Sequence, residues 1–150
     1  MNCNFILTEW GWTGIAGREA ISALVFGHST QAEAQASLSK ALKDRGIYEP
    51  LEKNEAFFPE ALRACQAYFR GQRVEFTFPV EWSLYTPFQA RVLEATKSIP
   101  YGQTRTYAQI AAAVGRPQAF RAVGGAEAKN LTPIIIPCHR VVAARGGLGG

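Results

Sequence analysis

The sequence predicts an α+β fold, with a small antiparallel β-sheet and helices first and a helical region after it. Three observations support this prediction. Residues 4–26 hold short β-rich runs between glycine-containing turns, residues 32–69 carry helical periodicity, and residues 86–129 contain three short helical segments. A chain of 150 residues can form two small domains. We place them at residues 1–80 and 81–150, with a boundary near residues 79–82.

The N-terminal part has the pattern of an antiparallel meander followed by two helices. Its β-rich runs are separated by turns at Gly11 and Gly17. The segment 32–43 places Ala34, Leu38, Ala41 and Leu42 on one helical face, and residues 59–69 repeat such spacing. Residues 73–78 alternate again, which indicates a short strand or an extended linker.

The C-terminal part is expected to contain three helices. Thr86 and Thr106 supply N-caps for the first two, and Pro87 suits the first helical position. The three segments are 87–99, 107–114 and about 118–129. The second and third are joined by a tight turn at Gly115, which is typical of a helix-turn-helix, whose second helix commonly enters a groove of DNA.

Charge is unevenly distributed along the chain. The net charge is +4, yet residues 1–82 hold 8 basic and 10 acidic residues, whereas residues 83–150 hold 8 basic residues and only Glu94 and Glu127 as acids. A basic C-terminal half suggests contact with a polyanion such as nucleic acid. A solvated positive face is the alternative interpretation.

The composition excludes several other classes of protein. No apolar run reaches the roughly 20 residues that a bilayer span needs, and the N-terminus lacks the basic-then-apolar pattern of a signal peptide. Three cysteines without regular spacing, Cys3, Cys65 and Cys138, do not indicate a disulfide framework and fit a reducing compartment. We expect a cytoplasmic protein that does not bind membranes.

The strongest candidate for chemistry is the segment Pro137-Cys138-His139-Arg140, which follows the apolar, strand-like run 134–136. The thiolate is the nucleophilic form of cysteine, and a nearby imidazole promotes its formation near neutral pH. Free cysteines are also common as inert core residues, so the dipeptide alone leaves both interpretations open. Because adjacent side chains of an extended segment point apart, a direct hydrogen bond between Cys138 and His139 is not implied.

Upstream of this segment lie an arginine, four small residues and an asparagine: Arg121, Ala122, Gly124, Gly125, Ala126 and Asn130. Together with residues 137–140, this string resembles the active-site region of the O6-alkylguanine-DNA alkyltransferases, also called methylated-DNA–protein-cysteine methyltransferases. The resemblance is close over residues 86–149 and weak over residues 1–79. It implies an RNase H-like N-terminal domain and a winged helix-turn-helix-like C-terminal domain.

The resemblance implies a DNA-repair reaction that consumes the protein in one turnover. Cys138 accepts the alkyl group of O6-alkylguanine, with O4-alkylthymine as a further candidate substrate, and the resulting thioether offers no leaving group that water could displace. A base inside the duplex is out of reach, so it must be flipped into a pocket. The implied partner is double-stranded DNA containing alkylated guanine, bound by a monomer without a cofactor.

The resemblance also assigns four individual roles. His139 acts on Cys138 through a bridging water, and Tyr107 donates a hydrogen bond to guanine N3. Asn130 pins the turn that carries the cysteine, and Arg121 fills the gap left by the flipped base. From the residues alone, the alternative for Tyr107 is a half-buried core residue, and the alternative for Arg121 is a phosphate contact or a surface charge.

The remaining expected site residues fall into two groups. Those expected at the DNA surface are Thr106, Arg116, Ala122, Gly124, Gly125 and Ala126. Those expected around the base pocket are Pro133, Pro137, Arg140 and Val141. Glycine inside a helix costs about 1 kcal/mol relative to alanine, so two glycines in one short helix suggest a close approach of DNA or of a neighbouring element.

A metal site is not expected. Cys3, His28 and Cys65 are conceivable zinc ligands, but they number only three and lack paired Cys-x-x-Cys spacing.

In the family, an aromatic-serine-glycine loop and a final helix follow the glycines, and that helix carries a glutamate that hydrogen-bonds the histidine. The sequence ends at Gly150, so the second domain is expected to be shortened there. Orientation of His139 would then need a substitute carboxylate, for which Glu94 and Glu127 are the candidates.

Three other functions compete with alkyl transfer. The main alternative is a non-catalytic lesion-binding protein like the alkyltransferase-like proteins, although these replace the cysteine. A cysteine hydrolase lacks an evident acidic or amide partner for His139. A winged-helix transcription factor leaves residues 137–140 unexplained.

Overall fold

A computed structural model describes residues 1–144 of the chain, which divide into two compact units, Met1–Leu84 and a second unit that begins at Tyr85. This division falls a few residues after the boundary that we placed from the sequence. The glycines at 146–147 and 149–150, where the family resemblance ends, lie outside the described residues.

The first unit contains four strands and two helices. They are β1 (Asn2–Thr8), β2 (Gly11–Gly17), β3 (Ile21–His28), α1 (Gln31–Lys43), β4 (Glu52–Lys53) and α2 (Pro59–Phe69). The sheet has the order β3-β2-β1-β4. The antiparallel pairing of β1, β2 and β3 confirms the predicted meander. Strand β4 pairs parallel with β1 and was not predicted, because two residues are too few to show any alternation.

Helix α1 packs on β2 and β3, and α2 packs mainly on β1. Three of the residues predicted for the inner face of α1 are buried: Ala34, Leu38 and Leu42. Residues 73–78 hold no strand, which favours the linker interpretation. Through this linker the chain returns to the sheet, where the backbone nitrogen of Ile21 donates a hydrogen bond to the carbonyl of Pro79 at 2.8 Å.

The second unit consists mainly of three helices around one core. Its elements are α3 (Pro87–Lys97), β5 (Arg105–Thr106), α4 (Tyr107–Ala113), α5 (Phe120–Glu127) and β6 (Val141–Val142). The core is formed by apolar side chains of all three helices, of β6 and of Ile99, which follows the end of α3; the other members are Val92, Ile110, Ala111, Val123, Ala126 and Val141. Thr86 and Thr106 are the N-caps that the sequence predicts, and each also forms a capping box with the glutamine three positions later.

The turn between α4 and α5 is a Schellman motif. Gly115 has a φ of +79°, and its backbone nitrogen and that of Arg116 donate to the carbonyls of Ala112 and Ala111 at 3.0 and 2.9 Å. A glycine suits this left-handed position because it has no Cβ. The structure thus contains the two consecutive short helices that the sequence predicts, joined by residues 114–119, an arrangement compatible with a helix-turn-helix.

Strands β5 and β6 determine which residues meet at the site. They pair parallel, with Arg105 beside Val141 and Thr106 beside Val142. Strand β5 leads directly into α4, and β6 directly follows residues 138–140. The pairing therefore brings the start of α4, with Tyr107, close to Cys138. Among residues 1–144, no helix is long and apolar enough to cross a membrane.

Candidate active site

The cysteine follows a tight turn whose geometry depends on proline. Pro137 has φ −81° and ψ 68°, and the backbone nitrogen of Cys138 donates to the carbonyl of Ile136 at 2.8 Å. These values describe an inverse γ-turn, to which the fixed φ of proline is well suited. Residues Cys138–Arg140 then form one turn of 3₁₀-helix. The strand-like conformation expected for this region is therefore wrong, because residues 132–140 turn twice before β6 begins.

Asn130 holds the first of these two turns. Its Nδ2 donates to the carbonyl of Ile136 at 2.9 Å, and its Oδ1 accepts from the backbone nitrogen of Thr132 at 2.9 Å. The turn that it closes contains Ile134 at a φ of +77°, a left-handed conformation that is unfavourable for a β-branched residue. Such a conformation costs on the order of 1–3 kcal/mol and persists only where surrounding bonds enforce it. The side chain of Asn130 supplies two of those bonds.

Cys138 lines an open groove of about 690 Å³ at the face of α5. We call it the cysteine groove; its residues are Tyr107, Phe120, Arg121, Gly124, Gly125, Glu127, Ala128 and Cys138. Five of the residues that the sequence assigned to catalysis or DNA contact thus meet at one place, on three different segments of the chain. The groove is large enough to admit a purine base.

Of the three thiols, Cys138 is the accessible one. Cys3 and Cys65 are buried, whereas Cys138 is half-buried at the groove. Burial raises the pKa of Cys65 to about 12 and also raises the pKa of Cys3. Raised pKa values suppress the thiolate, the reactive form. Cys138 is therefore the candidate nucleophile.

His139 is exposed beside it, on the next residue of the 3₁₀ turn. Partial desolvation, and then the positive charge of Arg140, lower the pKa of His139. Both effects favour the neutral imidazole, which is the form that can accept a proton. Successive residues of a 3₁₀-helix are rotated by roughly 120°, so the two side chains still point in different directions.

Two residues that we expected around the base pocket lie elsewhere. Nη1 of Arg140 donates to the carbonyl of Ile99 at 2.8 Å, and its guanidinium lies 5.6 Å from the centroid of the Tyr101 ring. Val141 is buried in the core. Through these contacts, Arg140 and Val141 both anchor the 3₁₀ turn to the rest of the second unit. Pro133 and Pro137 shape the backbone before Cys138 and are not among the described residues that line the groove.

The residues expected to contact DNA likewise fall into two groups, those that lie exposed at or beside the groove and those that contact other parts of the second unit. Arg121 is exposed at the start of α5 and reaches the groove, and Ala122 is exposed beside it. Ala126 instead faces the core. The hydroxyl of Thr106 accepts from the backbone nitrogen of Gln109 at 3.0 Å, and the guanidinium of Arg116 lies 5.8 Å from the centroid of the Phe88 ring.

The two glycines of α5 are not required by packing within the described residues. A Cβ at Gly124 would meet Tyr107 at 3.9 Å, an ordinary contact, and a Cβ at Gly125 would have no neighbour within 4 Å. Neither glycine has a positive φ. Their helix-weakening cost is therefore consistent with close approach of an external partner.

Three of the groove residues were not predicted to line a site, namely Phe120, Glu127 and Ala128. Phe120 is 48% exposed although it is apolar, and it directly precedes Arg121. Glu127 is buried, and its Oε1 is hydrogen-bonded to the hydroxyl of Thr96. The sequence signal for Phe120 is an aromatic residue directly beside the predicted DNA-contacting arginine. The signal for Glu127 is an acidic residue one helical turn after the apolar Val123. Because its carboxyl group contacts Thr96, Glu127 is not the substitute partner of His139.

No group of three or more histidine, cysteine or acidic side chains that could hold a metal occurs within residues 1–144.

The fold and the groove define a class of protein, namely an α+β protein whose helical second unit presents an accessible cysteine in an open groove. The family model described as "6-O-methylguanine DNA methyltransferase, DNA binding domain" matches residues 87–150. The chain is similar to Mycobacterium tuberculosis OGT in its crystal structure in complex with DNA, with 33% sequence identity and a TM-score of 0.76. The match covers 100% of this chain and 84% of that one. The chain belongs to the methylated-DNA–protein-cysteine methyltransferase family.

Other relatives agree with this assignment. The chain is 50% identical over 91 residues to the constitutive methylated-DNA–protein-cysteine methyltransferase of Bacillus subtilis, which is 61% of this chain and 54% of that protein. It is 49% identical over 98 residues to the Methanosarcina acetivorans protein of the same name, 65% of this chain and 62% of the relative. The matched region thus spans little more than half the length of these curated relatives. The O6-methylguanine-DNA methyltransferase of Pyrococcus kodakaraensis has a TM-score of 0.73 at 28% identity, over 96% of this chain and 88% of that one.

Proposed function

We propose that the protein repairs O6-alkylguanine in double-stranded DNA by transferring the alkyl group irreversibly to Sγ of Cys138. The observation that carries this proposal is the accessible thiol in a groove on a helix-turn-helix, between Tyr107 and Arg121. In the transfer, the bond between the alkyl carbon and the guanine oxygen breaks and a carbon–sulfur bond forms. The thioether has no leaving group for water to displace, so each molecule acts once.

Proton transfer is assigned to His139 and Tyr107. The lowered pKa of His139 keeps the imidazole neutral and able to accept the thiol proton. Because the two side chains point in different directions, we assign this step to a bridging water. Tyr107, at the first position of α4, lines the same groove and is placed to donate a hydrogen bond to the base. Such a bond stabilises the departing guanine as its oxygen gains negative charge.

Access to the alkylated base is assigned to α5. A guanine within the duplex cannot reach a groove in the protein unless it is flipped out of the stack. Arg121 is exposed at the start of this helix and can occupy the space that the base vacates. The open space at Gly125 allows the DNA backbone to approach closely. The excess of basic residues in positions 83–150 favours the phosphates.

The free thiols fit a reducing compartment, and we propose that the protein acts as a cytoplasmic monomer.

The mass of the intact protein tests the proposed reaction. Incubation with a duplex that contains O6-methylguanine should increase the mass by one methyl group and no more, and peptide mapping should place the methyl on Cys138. The same duplex with unmodified guanine is the control. An unchanged mass together with selective binding of the lesion duplex would identify a non-catalytic lesion-binding protein instead. Methylation of Cys3 or Cys65 would contradict the assigned nucleophile.

Replacing Arg121 by alanine should weaken binding of the lesion duplex by roughly tenfold, because the side chain that replaces the flipped base is lost. The matched control is Arg63→Ala on α2, an exposed arginine whose Nη2 lies 3.4 Å from Oε1 of Glu60. This control should change the affinity by less than about twofold. Binding can be measured by fluorescence anisotropy at fixed salt. Equal losses for the two variants would remove the role assigned to Arg121.

A further inference from the structure

A buried carboxyl group joins α5 to α3 beneath the cysteine groove. Glu127 is the last residue of α5 and is 8% exposed, and Thr96 on α3 is fully buried. Oε1 of Glu127 is hydrogen-bonded to Oγ1 of Thr96. The same Oγ1 lies 2.9 Å from the carbonyl oxygen of Val92. Oε2 of Glu127 has no hydrogen-bond partner among the described residues.

Counting protons identifies the state of this carboxyl group. A threonine hydroxyl carries one proton, whereas the carbonyl oxygen of Val92 can only accept. If Thr96 donates to Val92, the contact with Glu127 needs a proton from Glu127. If Glu127 were instead ionised, its Oε2 would be a buried, charged oxygen without a partner, which costs more than a neutral carbonyl oxygen in the same place. The neutral carboxylic acid satisfies both contacts.

The surroundings agree with a neutral acid. Burial raises the pKa of Glu127 to about 7, and the Thr96 hydroxyl is the smaller, opposing cause. Helices α3 and α4 pack against α5. On α3, Arg91 and Glu94 are exposed and Lys97 is half-buried. On the groove side, the titratable and charged groups are those of Tyr107, Arg121 and Cys138, with His139 next to the last. None of these groups is a cause of the shift.

We propose that Glu127 is a positioning residue: as a neutral acid it donates a hydrogen bond to Thr96 and so keeps α5, with Arg121, packed on α3. When Glu127 ionises, this contact between the two helices weakens. The inference rests on the proposed function, since α5 is the helix assigned to DNA. It predicts that alkyl transfer loses efficiency above neutral pH for a reason separate from the ionisation of Cys138. Glutamine at position 127 should abolish this loss, because its amide can donate to Thr96 and does not ionise.

The rate of alkyl transfer to a lesion duplex tests this, measured from about pH 6 to about pH 9 for the wild type, Glu127→Gln and the control Glu19→Gln, at an exposed residue of the first unit. The ratio of the Glu127→Gln rate to the wild-type rate cancels the ionisation of Cys138. This ratio should lie within about twofold of unity at the acid end and rise at least about fivefold at the alkaline end, as the competent fraction of wild type falls. Glu19→Gln should follow the wild type. A flat ratio overturns the proposal, and so does a rise of the same size in the control.

Thermal unfolding in the same buffers separates this inference from the proposed function, because it requires no transfer. An acid with a raised pKa keeps its proton when folded, whereas the unfolded chain loses it near pH 4.5. The folded state therefore loses stability as pH rises through that window towards about 7, and then no further. The Tm of Glu127→Gln should therefore rise relative to the Tm of the wild type as the pH increases over this range. If the glutamine variant does not fold, infrared spectra of the wild type at neutral pH decide: absence of a protonated buried carboxyl band overturns the proposal.

Discussion

Replacing Cys138 by serine is expected to abolish alkyl transfer, with a loss of at least about 10³-fold in rate, and to leave binding of the lesion duplex nearly unchanged. A serine hydroxyl is a much weaker acid than a thiol and does not ionise near neutral pH, so it cannot replace the thiolate. The side chain is half-buried and similar in size, so folding should be little affected. Single-turnover transfer of a radiolabelled methyl group measures the rate, and anisotropy measures binding.

The matched control for this variant is Cys65→Ser. Cys65 is fully buried in the first unit, so a hydroxyl there should lower the free energy of unfolding by about 1–3 kcal/mol. The transfer rate of the folded protein should not change, because Cys65 is absent from the cysteine groove. Cys138→Ser should therefore lose transfer but keep its stability, whereas Cys65→Ser should lose stability but keep its transfer rate. Methyl transfer by the Cys138→Ser protein at the wild-type rate would exclude this thiol as the acceptor.

Replacing Asn130 by alanine should lower both stability and transfer. Two hydrogen bonds at 2.9 Å disappear, one to Ile136 and one from Thr132, which corresponds to about 2–3 kcal/mol of unfolding free energy. The strained turn at Ile134 then relaxes, and Cys138, two residues after Ile136, loses its position. Because misplacing a reacting group by about 1 Å can cost 10²-fold, we expect the transfer rate to fall by at least about tenfold. Urea unfolding measures the loss of stability. Single-turnover transfer, measured under conditions where both proteins are folded, measures the loss of rate.

Asn54 offers a comparable asparagine in the first unit. Its Oδ1 accepts from the backbone nitrogen of Ala56 at 3.0 Å, and its Nδ2 donates to Asn2. Asn54→Ala should therefore destabilise the protein without slowing transfer by folded molecules. Asn130→Asp retains the acceptor for Thr132 but loses the donor to Ile136, so it should remain defective in transfer. A normal transfer rate in Asn130→Ala would show that the turn does not depend on this side chain.

Features encoded within a few residues were predictable. The caps of α3 and α4 need only a threonine and a glutamine three positions later, so the sequence identified both starts. The alternation of β1 to β3 likewise predicted their pairing. Strand β4 was missed because its partner, β1, lies some 50 positions away in the sequence. The run 134–136 was expected to be extended because its composition favours strands, whereas hydrogen bonds of Asn130 close it into a turn.

The candidate site shows the same division. The motif around Cys138 and its resemblance to a family pointed to Cys138 as the candidate nucleophile and to Tyr107 and Arg121, and these three residues line one groove. Arg140 and Val141 were expected at the base pocket, yet one contacts the carbonyl of Ile99 and the other enters the core. Such contacts depend on where α3 ends relative to the turn, which no local pattern specifies.

The sequence by itself determined the α+β class, the three helices of the second unit, the family and the candidate nucleophile, because each is encoded in short-range spacing or in a contiguous motif. Only the tertiary structure decided which thiol is accessible, which small residues of α5 face outward, and that Glu127 is buried against Thr96. The physical reason is that burial and proton sharing depend on groups distant in the chain. Thr96 and Glu127 are 31 positions apart, and they meet only after α3 and α5 have packed.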